Sequence, residues 1–529
     1  MSNQTYTGIT IGPIYDTMQL TSSPGGLWGA SYLFSWVTRE LIAALIQDEI
    51  DADRFVSPAV QWDGNQVILE GCEKARSMGV GLFHDRIIFQ GDALDAVKEA
   101  KCKVAAQLAD KLPFTGDRSE LESWLNNYLR ICAAKAEISD EENPLLVLGP
   151  ILDSLELEPQ YVPSQNEDPL LYLFENVRAK TARQGSSNKM LKESFLVKEL
   201  DHWMLLRKDG DQIRDLQHIA SNGRAKKELT KKNQLYFAIL QSDGDRMGET
   251  LKKLKAEGGD LSALHSFSKN CLAFCSSAAE IIYSYGGVPI YAGGDDLLAL
   301  VPLTCREDST DAPATVLGLV DKLRECFNDV FSGEDGRPTL SVGVSIQYYK
   351  SPLYEALDRA SDLLHQAKAA PGKNALRLDL QKHSGQSIRL NVNQLDKADV
   401  LPLLDKALQA ANSMNAKSNT WEFLSSAGPQ IERFRSLFRL AIARNSRDQL
   451  VNLIDNLFDN VGQKSFREGY LKEIEKLSWA IMQNALLQPV TKTSTEDDAS
   501  QAYVIGQIES AVRFIHFMQE QPEANERKV

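Results

Sequence analysis

The alternation of apolar and polar positions divides the chain into four stretches with different periods. Residues 1–115 mix strand-length apolar runs with helical periods, which predicts an α+β unit, whereas residues 116–232 are more helical and interrupted. Residues 233–385 alternate regularly between strand and helix patterns, and residues 390–529 carry helical periods almost throughout. The pattern predicts an α+β fold with two mixed domains, a helical insertion or linker, and a C-terminal helical bundle.

The stretch 233–385 shows the clearest order of elements. A strand in "QLYFAILQS" precedes a helix over Leu261–Tyr285, two strands around "GGDD", a helix over Ala314–Phe331 and a strand in "TLSVGVSIQYY". This is the βαββαβ order of a ferredoxin-like domain. In that order we expect the hairpin to join the two central strands, so that its tip lies close to the end of the first strand.

The first stretch begins with the strand pattern "YTGITIGPI" and a Ser-Pro-Gly-Gly turn, followed by a helix over Leu27–Ile46. Short strands in "RFVSPAV", "QVILEG" and "DRIIFQ" and a helix over Leu94–Leu112 complete it. The later connection "ISDEENPLLVLGPILDSLELEPQ" is acidic and contains prolines, so we predict a loop-rich insertion there. Beyond residue 390, apolar residues at helical spacing predict four or five helices.

Composition and charge narrow the possible partners. The chain has 529 residues, of which 43% are hydrophobic, and a formal net charge of −14, as expected of a soluble globular protein. Such a charge argues against a surface that coats nucleic acid, so an RNA partner would need a local basic patch. The candidate patch consists of Arg224, Lys226, Lys227, Lys231 and Lys232. Its alternative interpretation is an ordinary solvated surface.

The location of the protein is predicted from what the sequence lacks. The N-terminus "MSNQTYTGITIGP" has neither the basic nor the apolar region of a signal peptide, and no apolar run of about 18 residues predicts a membrane span. Of the seven cysteines only Cys271 and Cys275 are close in sequence. We therefore predict a cytoplasmic protein with reduced, buried thiols and no membrane partner.

Acidic residues end two strands that the predicted order makes neighbours. Asp243 and Asp245 follow the first strand of the 233–385 unit, and Asp295 and Asp296 form the hairpin tip. Converging carboxylates repel one another unless a hard divalent cation such as Mg²⁺ or Mn²⁺ binds between them. Two such ions can activate an attacking hydroxyl and stabilise a leaving pyrophosphate. Three glycines would let a triphosphate approach the backbone: Gly244, Gly293 and Gly294.

Each of these residues also has a simpler interpretation. Gly-Gly-Asp-Asp alone is typical of a primed hairpin turn, and Asp245 could cap a helix. Lys373, in "AKAAPGKNALRL", could neutralise a phosphate or be a solvated loop lysine. The combination favours a metal site for phosphate chemistry, because a second carboxylate position occurs at the first strand's end in the correct order of elements.

These motifs resemble a known family. "GGDD", preceded by "SDGDRMG" and followed by "AKAAPGKNAL", is similar to the large palm-domain subunit of type III CRISPR effector complexes, of subtype III-B above all. That family is related to GGDEF-type and class III nucleotide cyclases. "ITIGPIYDTM" followed by "LWGASYLFSWV" resembles the family's first palm, and "GLFHDRIIF" loosely resembles that palm's next signature. The resemblance covers most of the chain and implies two ferredoxin-like palm domains.

The resemblance also implies a function. When the guide RNA of the complex pairs with a target RNA, the second palm would convert ATP into cyclic oligoadenylate. Asp243, Asp295 and Asp296 would be catalytic and hold two metal ions. The nucleotide would bind at Gly244, Asp245, Gly293, Gly294 and Lys373, and the basic patch would face RNA. Other subunits of the complex would be partners.

The chain also departs from the family. Many members begin with an HD nuclease domain, whereas the HD dipeptide here, His84-Asp85, lies in the first palm's strand region and is predicted to be incidental. We expect no DNA cleavage by this chain, and no zinc module between the palms. Two alternatives to cyclic oligoadenylate synthesis stay open: AMP transfer from ATP to S-adenosylmethionine by the same palm, and an inert scaffold subunit.

Overall fold

A computed structural model of the chain describes most of its residues. The described ranges are 3–19, 21, 23–72, 79–111, 117–157, 215–256, 260–306, 312–332, 337–396, 399–412, 428–457, 471–487 and 494–520. About half of the predicted insertion, including "RAKTARQGSSNKMLK", therefore lies outside the described residues.

The first unit is an antiparallel sheet with helices. Its strands are β1 (Asn3–Gly12), β2 (Phe55–Ser57), β3 (Val60–Trp62), β4 (Val67–Leu69), β5 (Arg86–Gln90) and β6 (Arg130–Ser139). Its helices are α1 (Ile14–Gln19), α2 (Pro24–Gln47), α3 (Leu94–Lys111), α4 (Arg118–Tyr128) and α5 (Pro144–Glu156). Four strands form one sheet in the order β2-β5-β1-β6, and β3 and β4 form a separate ribbon. This is the strand order of a ferredoxin-like domain.

Two expectations for this region are wrong. The sheet of the first unit takes its fourth strand, β6, from beyond residue 115, and β6 pairs with β1 along its whole length. The acidic connection after it contains helix α5 rather than only loops. Asn143 caps that helix through a hydrogen bond from the N–H of Leu145, and Pro144 occupies its first turn. Capping residues before an apolar run thus start a helix in an otherwise loop-like composition.

The second unit repeats the same architecture with a longer sheet. Its strands are β7 (Tyr236–Asp245), β8 (Val288–Gly293), β9 (Asp296–Pro302), β10 (Thr339–Tyr348), β11 (Leu376–Gln381) and β12 (Ser387–Val392). Its helices are α6 (Leu216–Ala220), α7 (Met247–Ala256), α8 (Leu261–Tyr285), α9 (Val316–Val330) and α10 (Leu353–Lys368). The sheet order is β12-β11-β10-β7-β9-β8.

The position of the hairpin in this sheet corrects one detail of the prediction. Only β9 lies next to the central strand β7, whereas β8 lies beyond β9 at the end of the sheet. The hairpin therefore does not join two central strands. Its tip nevertheless reaches the end of β7, because Ser242 of β7 pairs with Leu297 of β9.

Helix α2 lies where the two units meet. Its side chains are buried on nearly every face, including Leu27, Trp28, Leu33 and Trp36. A helix that is apolar all round has to be covered on all sides. The cover comes from the first sheet, from α3 and from strand β8 of the second unit.

The C-terminal stretch is helical and packs on the second sheet. It contains α11 (Val400–Asn412), α12 (Arg435–Ala443), α13 (Arg447–Leu457), α14 (Lys472–Leu486) and α15 (Ser494–Gln519). Helix α15 contacts strand β12 and packs against α14, α11 and α12. The predicted fold class, two ferredoxin-like domains with a helical C-terminal region, is confirmed.

Candidate active site between the two palm sheets

The three predicted metal-binding carboxylates lie near one another at one end of the second sheet. Asp243 lies close to the end of β7, and Asp295 and Asp296 lie at the β8–β9 tip. The antiparallel register that pairs Ser242 with Leu297 brings Asp243 beside Asp296. The sheet thus brings together the carboxylates that the sequence pattern placed on separate segments.

The hairpin tip is both a tight turn and part of the carboxylate cluster, so its two interpretations do not exclude each other. Gly293 pairs with Asp296, which leaves a two-residue turn of Gly294 and Asp295. Gly294 has a φ of +71°, in the left-handed region where a side chain would be strained. A Cβ added there would meet none of the described atoms within 4 Å. Gly294 is therefore required by backbone conformation and leaves open space in front of the tip.

Gly244 and Gly293 make room for neighbouring side chains of the chain itself. A Cβ on Gly244 would lie 2.6 Å from Oδ2 of Asp295, and one on Gly293 would lie 2.7 Å from Cζ of Tyr291. Gly244 thus allows the Asp295 carboxylate to lie against the end of β7. Gly293 allows the Tyr291 ring to lie beneath the hairpin.

Burial and mutual repulsion dominate the electrostatics of the cluster. Burial, then the charge of Asp243, raises the pKa of Asp295 from 3.8 to about 7, and Lys368 opposes this rise. Asp296 opens towards a cavity, yet desolvation by the surrounding protein, together with Asp295 and Asp243, raises its pKa well above the usual value. A divalent cation would remove this repulsion, because it favours the ionised form of each carboxyl.

Sequence reasoning missed the lysine that contacts this cluster. Lys368, in the last turn of α10, forms an ion pair with Oδ2 of Asp243, and its Nζ donates to the carbonyl of Gly244 at 3.3 Å. Although burial opposes it, the charge of Asp243 raises the pKa of Lys368. Lys373, the predicted phosphate contact, lies on the following loop at a φ of +53° and donates its backbone N–H to Ala370. Both lysines belong to the motif "AKAAPGKN". The position of Lys368 at the end of a helical pattern was the signal that could have identified it as a contact of the cluster.

Asp245 is a buried structural acceptor at the end of β7. Its Oδ2 accepts hydrogen bonds from Thr339 Oγ1 at 3.0 Å, Ser341 Oγ at 2.8 Å and the N–H of Asn374 at 2.8 Å. Burial raises the pKa of this carboxyl, and these donors oppose the rise. The expected helix-capping role is therefore replaced by one that ties the loop after α10 to strands β7 and β10.

Two cavities flank the hairpin tip, one of about 490 Å³ and one of about 370 Å³. The larger lies on the side of Asp243 and Lys368 and reaches the end of β1 at Gly12. The smaller lies between α8 and the first palm, and Gly293, Gly294 and Asp295 line it. Volumes of this size are typical of small-molecule sites, and two cavities at one carboxylate cluster can hold two reacting molecules.

The first palm contributes a carboxyl to both cavities. Asp85 lines each of them together with Asp296. Burial, opposed by Arg86, raises the pKa of Asp85. Its neighbour His84 is half-buried, and desolvation, followed by the charge of Arg86, lowers the pKa of the imidazole to about 4. The dipeptide lies in the first palm's strand region, as predicted, and that it is incidental as a nuclease motif stays a prediction. The folded chain also brings this strand end to the second palm's tip, which the sequence did not indicate.

The donor set fits metal ions that share their ligands with a substrate. Within the described ranges, no three His, Cys, Asp or Glu side chains are grouped closely enough to hold a metal by themselves. Magnesium commonly binds through one or two carboxylates and completes its shell with water and phosphate oxygens. Asp243, Asp295 and Asp296, with the carbonyl of Gly244 nearby, can serve in that way.

The predicted basic patch lies at the opposite end of β7 from the carboxylates. Lys226 has its ammonium 5.5 Å from the centre of the Tyr349 ring, and Lys350 approaches the same ring at 5.7 Å. Lys232 pairs with Glu520 at 3.5 Å, and burial lowers the pKa of Lys231. Arg224 and Lys227 belong to the same segment, before β7. Some of the cations of the patch therefore already contact other residues of the same chain.

The expectation of buried thiols is only partly correct: Cys72, Cys271 and Cys275 are buried, Cys102 is exposed, and Cys132, Cys305 and Cys326 are half-buried. Cys271 and Cys275 are buried without a disulfide, and Cys275 donates to the carbonyl of Gly294 at 3.1 Å. In the part of the chain that is described, no helix is long and apolar enough to cross a membrane.

Known proteins share the sequence of the second palm. Residues 236–377 match the family described as Cas10/Cmr2, second palm domain. The CRISPR system Cmr subunit Cmr2 of Pyrococcus furiosus is 33% identical over 174 residues, a match that covers 28% of this chain and 19% of that protein. The match thus spans less than a quarter of the curated relative.

Solved structures share the architecture at low identity. A chain of the type III-B Cmr-beta complex in its apo state has a TM-score of 0.54 and 12% identity, covering 87% of this chain and 77% of that one. A chain of a Csm1–Csm4 cassette in complex with cA4 has a TM-score of 0.49 and 14% identity, covering 92% and 70%. The first of these shows a common fold.

The sheet order is that of a ferredoxin-like domain, and the hairpin that carries the carboxylates ends beside its central strand, as in a palm fold. The hairpin lies within residues 236–377, the stretch that matches the second palm domain of Cas10/Cmr2.

Proposed function

We propose that the chain is the palm subunit of a type III CRISPR effector complex and an RNA-activated, metal-dependent nucleotidyltransferase. Its proposed reaction joins the α-phosphate of one ATP to a hydroxyl of another, releases pyrophosphate and ends in cyclic oligoadenylate. The observation that supports this most is the meeting of Asp243, Asp295, Asp296 and Lys368 between two cavities large enough for nucleotides.

The positions of the carboxylates, Lys368, Gly294 and the two cavities suit the roles proposed for them in nucleotidyl transfer. Bound at Asp243, Asp295 and Asp296, Mg²⁺ or Mn²⁺ would supply charge stabilisation for the phosphoryl oxygens. Lys368, which reaches the same point from α10, would neutralise phosphate charge when a nucleotide occupies the site. The open space in front of Gly294 would admit a triphosphate. The two cavities would hold the two nucleotides in reacting proximity, which lowers the entropic part of the barrier.

A second acceptor is favoured by the charge of the larger cavity. Its lining includes the acids Asp16, Asp85, Glu156, Asp243 and Asp296, against the cations Arg130 and Lys368. Repulsion would oppose a second triphosphate there, whereas an acceptor with its own positive charge would be attracted. AMP transfer from ATP to S-adenosylmethionine, which carries a sulfonium and an ammonium group, is therefore the second candidate.

Product analysis of the assembled complex tests both reactions. The complex is incubated with α-labelled ATP, Mg²⁺ or Mn²⁺ and target RNA, with and without S-adenosylmethionine. Asp295→Ala combined with Asp296→Ala should abolish product, whereas Asp95→Ala, which removes an exposed carboxylate on α3, should leave product unchanged. Product that persists in the double variant would refute the assignment. Product that forms only with S-adenosylmethionine would favour the second acceptor.

A further inference from the structure

The strand that leads into the hairpin tip contains a β-bulge. On β8, Pro289 pairs with Ala299 and Tyr291 pairs with Leu298, so the register skips Ile290. An extra residue bends a strand and redirects the residues after it, and bulges are frequent next to active sites. In β8 the redirected residues are Tyr291 to Gly293, which lead directly into the carboxylate turn.

A side chain of the first palm donates a hydrogen bond to the backbone carbonyl of the bulged residue. Ser31, on α2, is 2% exposed and donates its hydroxyl to the carbonyl of Ile290 at 2.9 Å. Ile290 is itself fully buried. A buried carbonyl that loses its donor is costly, so this hydrogen bond stabilises the bulge in the position observed.

The first palm also forms backbone hydrogen bonds with the outer edge of β8. Gly81 forms a parallel bridge with Tyr291, and the N–H of Ala292 donates to the carbonyl of Gly81 at 2.9 Å. A Cβ on Gly81 would lie 2.9 Å from Oγ of Ser31, so the glycine is needed for this close approach. The outer strand of the second palm is thus hydrogen-bonded to the first palm one residue before Gly293.

Helix α2 holds the bridging loop at three further points. The indole N–H of Trp28 donates to the carbonyl of Gly79 at 2.7 Å. Oγ of Ser35 accepts the N–H groups of Leu82 at 3.1 Å and Phe83 at 3.0 Å. Trp28, Ser31 and Ser35 therefore fix one loop and one strand together from a single buried helix.

The geometry points to Ser31 as a positioning residue for the second palm's catalytic hairpin. Through the bulge at Ile290, the first palm sets the placement of the turn that carries Asp295 and Asp296. This inference rests on the proposed nucleotidyltransferase function. It gives the first palm a task at the carboxylates themselves, in addition to lining the cavities.

The test compares Ser31→Ala with Thr38→Ala in the assembled, RNA-activated complex. Thr38 is equally buried on α2, but its hydroxyl donates to Phe34 within the same helix. We expect Ser31→Ala to lower kcat about tenfold, or about 1.4 kcal/mol, with the KM for ATP changed less than about twofold. Thr38→Ala should lower thermal stability without this effect on kcat. An equal fall in kcat for both variants would overturn the proposal.

Amide hydrogen exchange in the full-length chain provides a readout that does not depend on turnover. Ser31→Ala should speed exchange at Ala292, whose N–H bonds to Gly81, and Thr38→Ala should not. Ser31→Cys keeps the size with a weaker donor, so its kcat should be intermediate; it also replaces the alanine variant if that one fails to fold. Unchanged exchange at Ala292 in the serine variant would refute the positioning role.

The two proposals fail in different ways. If Asp295→Ala with Asp296→Ala leaves product unchanged, the enzymatic function fails, and exchange at Ala292 still tests the hydrogen bond. If the double aspartate variant is inactive while Ser31→Ala behaves like Thr38→Ala, the function stands and the positioning role fails.

Discussion

At the scale of single residues, the carboxylates of the second palm are held in an unfavourable state. Asp295 lies against Gly244 and beside Asp243, and Lys368 offsets only part of the negative charge. Such strain is common where a site is built to bind a cation, because metal binding then releases protons and repulsion together.

The raised pKa of Asp295 predicts how stability depends on pH. Its pKa is raised from 3.8 to about 7, so its contribution to folding stability is full below pH 3.8 and is lost as pH rises through about 7. Without divalent cations, the Tm should therefore fall by about one to two degrees between pH 6 and pH 8. Asp295→Asn should weaken that fall, and added Mg²⁺ should raise the Tm more at pH 8 than at pH 6.

Calorimetry or scanning fluorimetry at both pH values checks this expectation. Asp321→Asn is the control, because Asp321 pairs with Arg324 at 2.7 Å on α9, away from the cluster. It should shift the Tm by a similar amount at both pH values. A pH dependence of Tm that is identical in Asp295→Asn and the parent protein would contradict the prediction.

At the scale of elements, the end of β7 joins three neighbouring segments. Asp245 accepts donors from β10 and from the loop after α10, and that loop is fastened in turn by Asn374, whose side chain donates to Asp396 at 2.6 Å. The backbone two residues from Asp243 is thereby fixed by hydrogen bonds rather than by apolar packing alone.

Asp245→Asn tests the role of this acceptor. An amide oxygen is a weaker acceptor than a carboxylate oxygen, and an amide NH2 would replace Oδ1, which is buried without a hydrogen-bond partner among the described residues. We therefore expect a loss of about 1–3 kcal/mol in the free energy of unfolding. Asp260→Asn is the matched control, since Asp260 also accepts a backbone N–H but caps α8 at the surface. Urea titration measures both, and a loss no larger for Asp245→Asn than for Asp260→Asn would argue against a buried structural role.

At the scale of the whole molecule, the basic patch and the carboxylate cluster lie at opposite ends of β7. Since the net charge is −14, RNA binding by this chain requires local cations such as Lys226 and Lys227. Lys226→Gln with Lys227→Gln should make RNA binding by the complex less dependent on salt. The slope of the logarithm of the binding constant against the logarithm of the salt concentration should become shallower by about one unit for each lysine that contacts a phosphate.

Fluorescence anisotropy with guide or target RNA across a salt series measures that slope. Lys98→Gln with Lys103→Gln, which removes two lysines of α3 that pair with acids, is the control and should leave the slope unchanged. An unchanged slope in the Lys226 and Lys227 variant would show that these lysines do not contact RNA and that the patch is an ordinary solvated surface.

The local pattern of apolar and polar residues was sufficient to predict many of the helices and strands. Periodicity predicted the βαββαβ order of the second palm, the long helix α2 and the helical C-terminal stretch, because each depends on the spacing of apolar residues within one segment. The proximity of Asp243 to the Asp295-Asp296 tip was also predictable, since the order of elements restricts which strand ends can be neighbours.

Contacts between segments distant in sequence were decided only by the tertiary structure. Strand β6, Lys368 and Asp85 acquire their positions from partners tens or hundreds of residues away, and neither periodicity nor a short motif encodes such pairs. The tasks of Gly244 and Gly293 likewise depend on which side chains approach them. The sequence by itself determined the carboxylates and their strands; packing of the first palm against β8 decided where the hairpin that carries two of them lies.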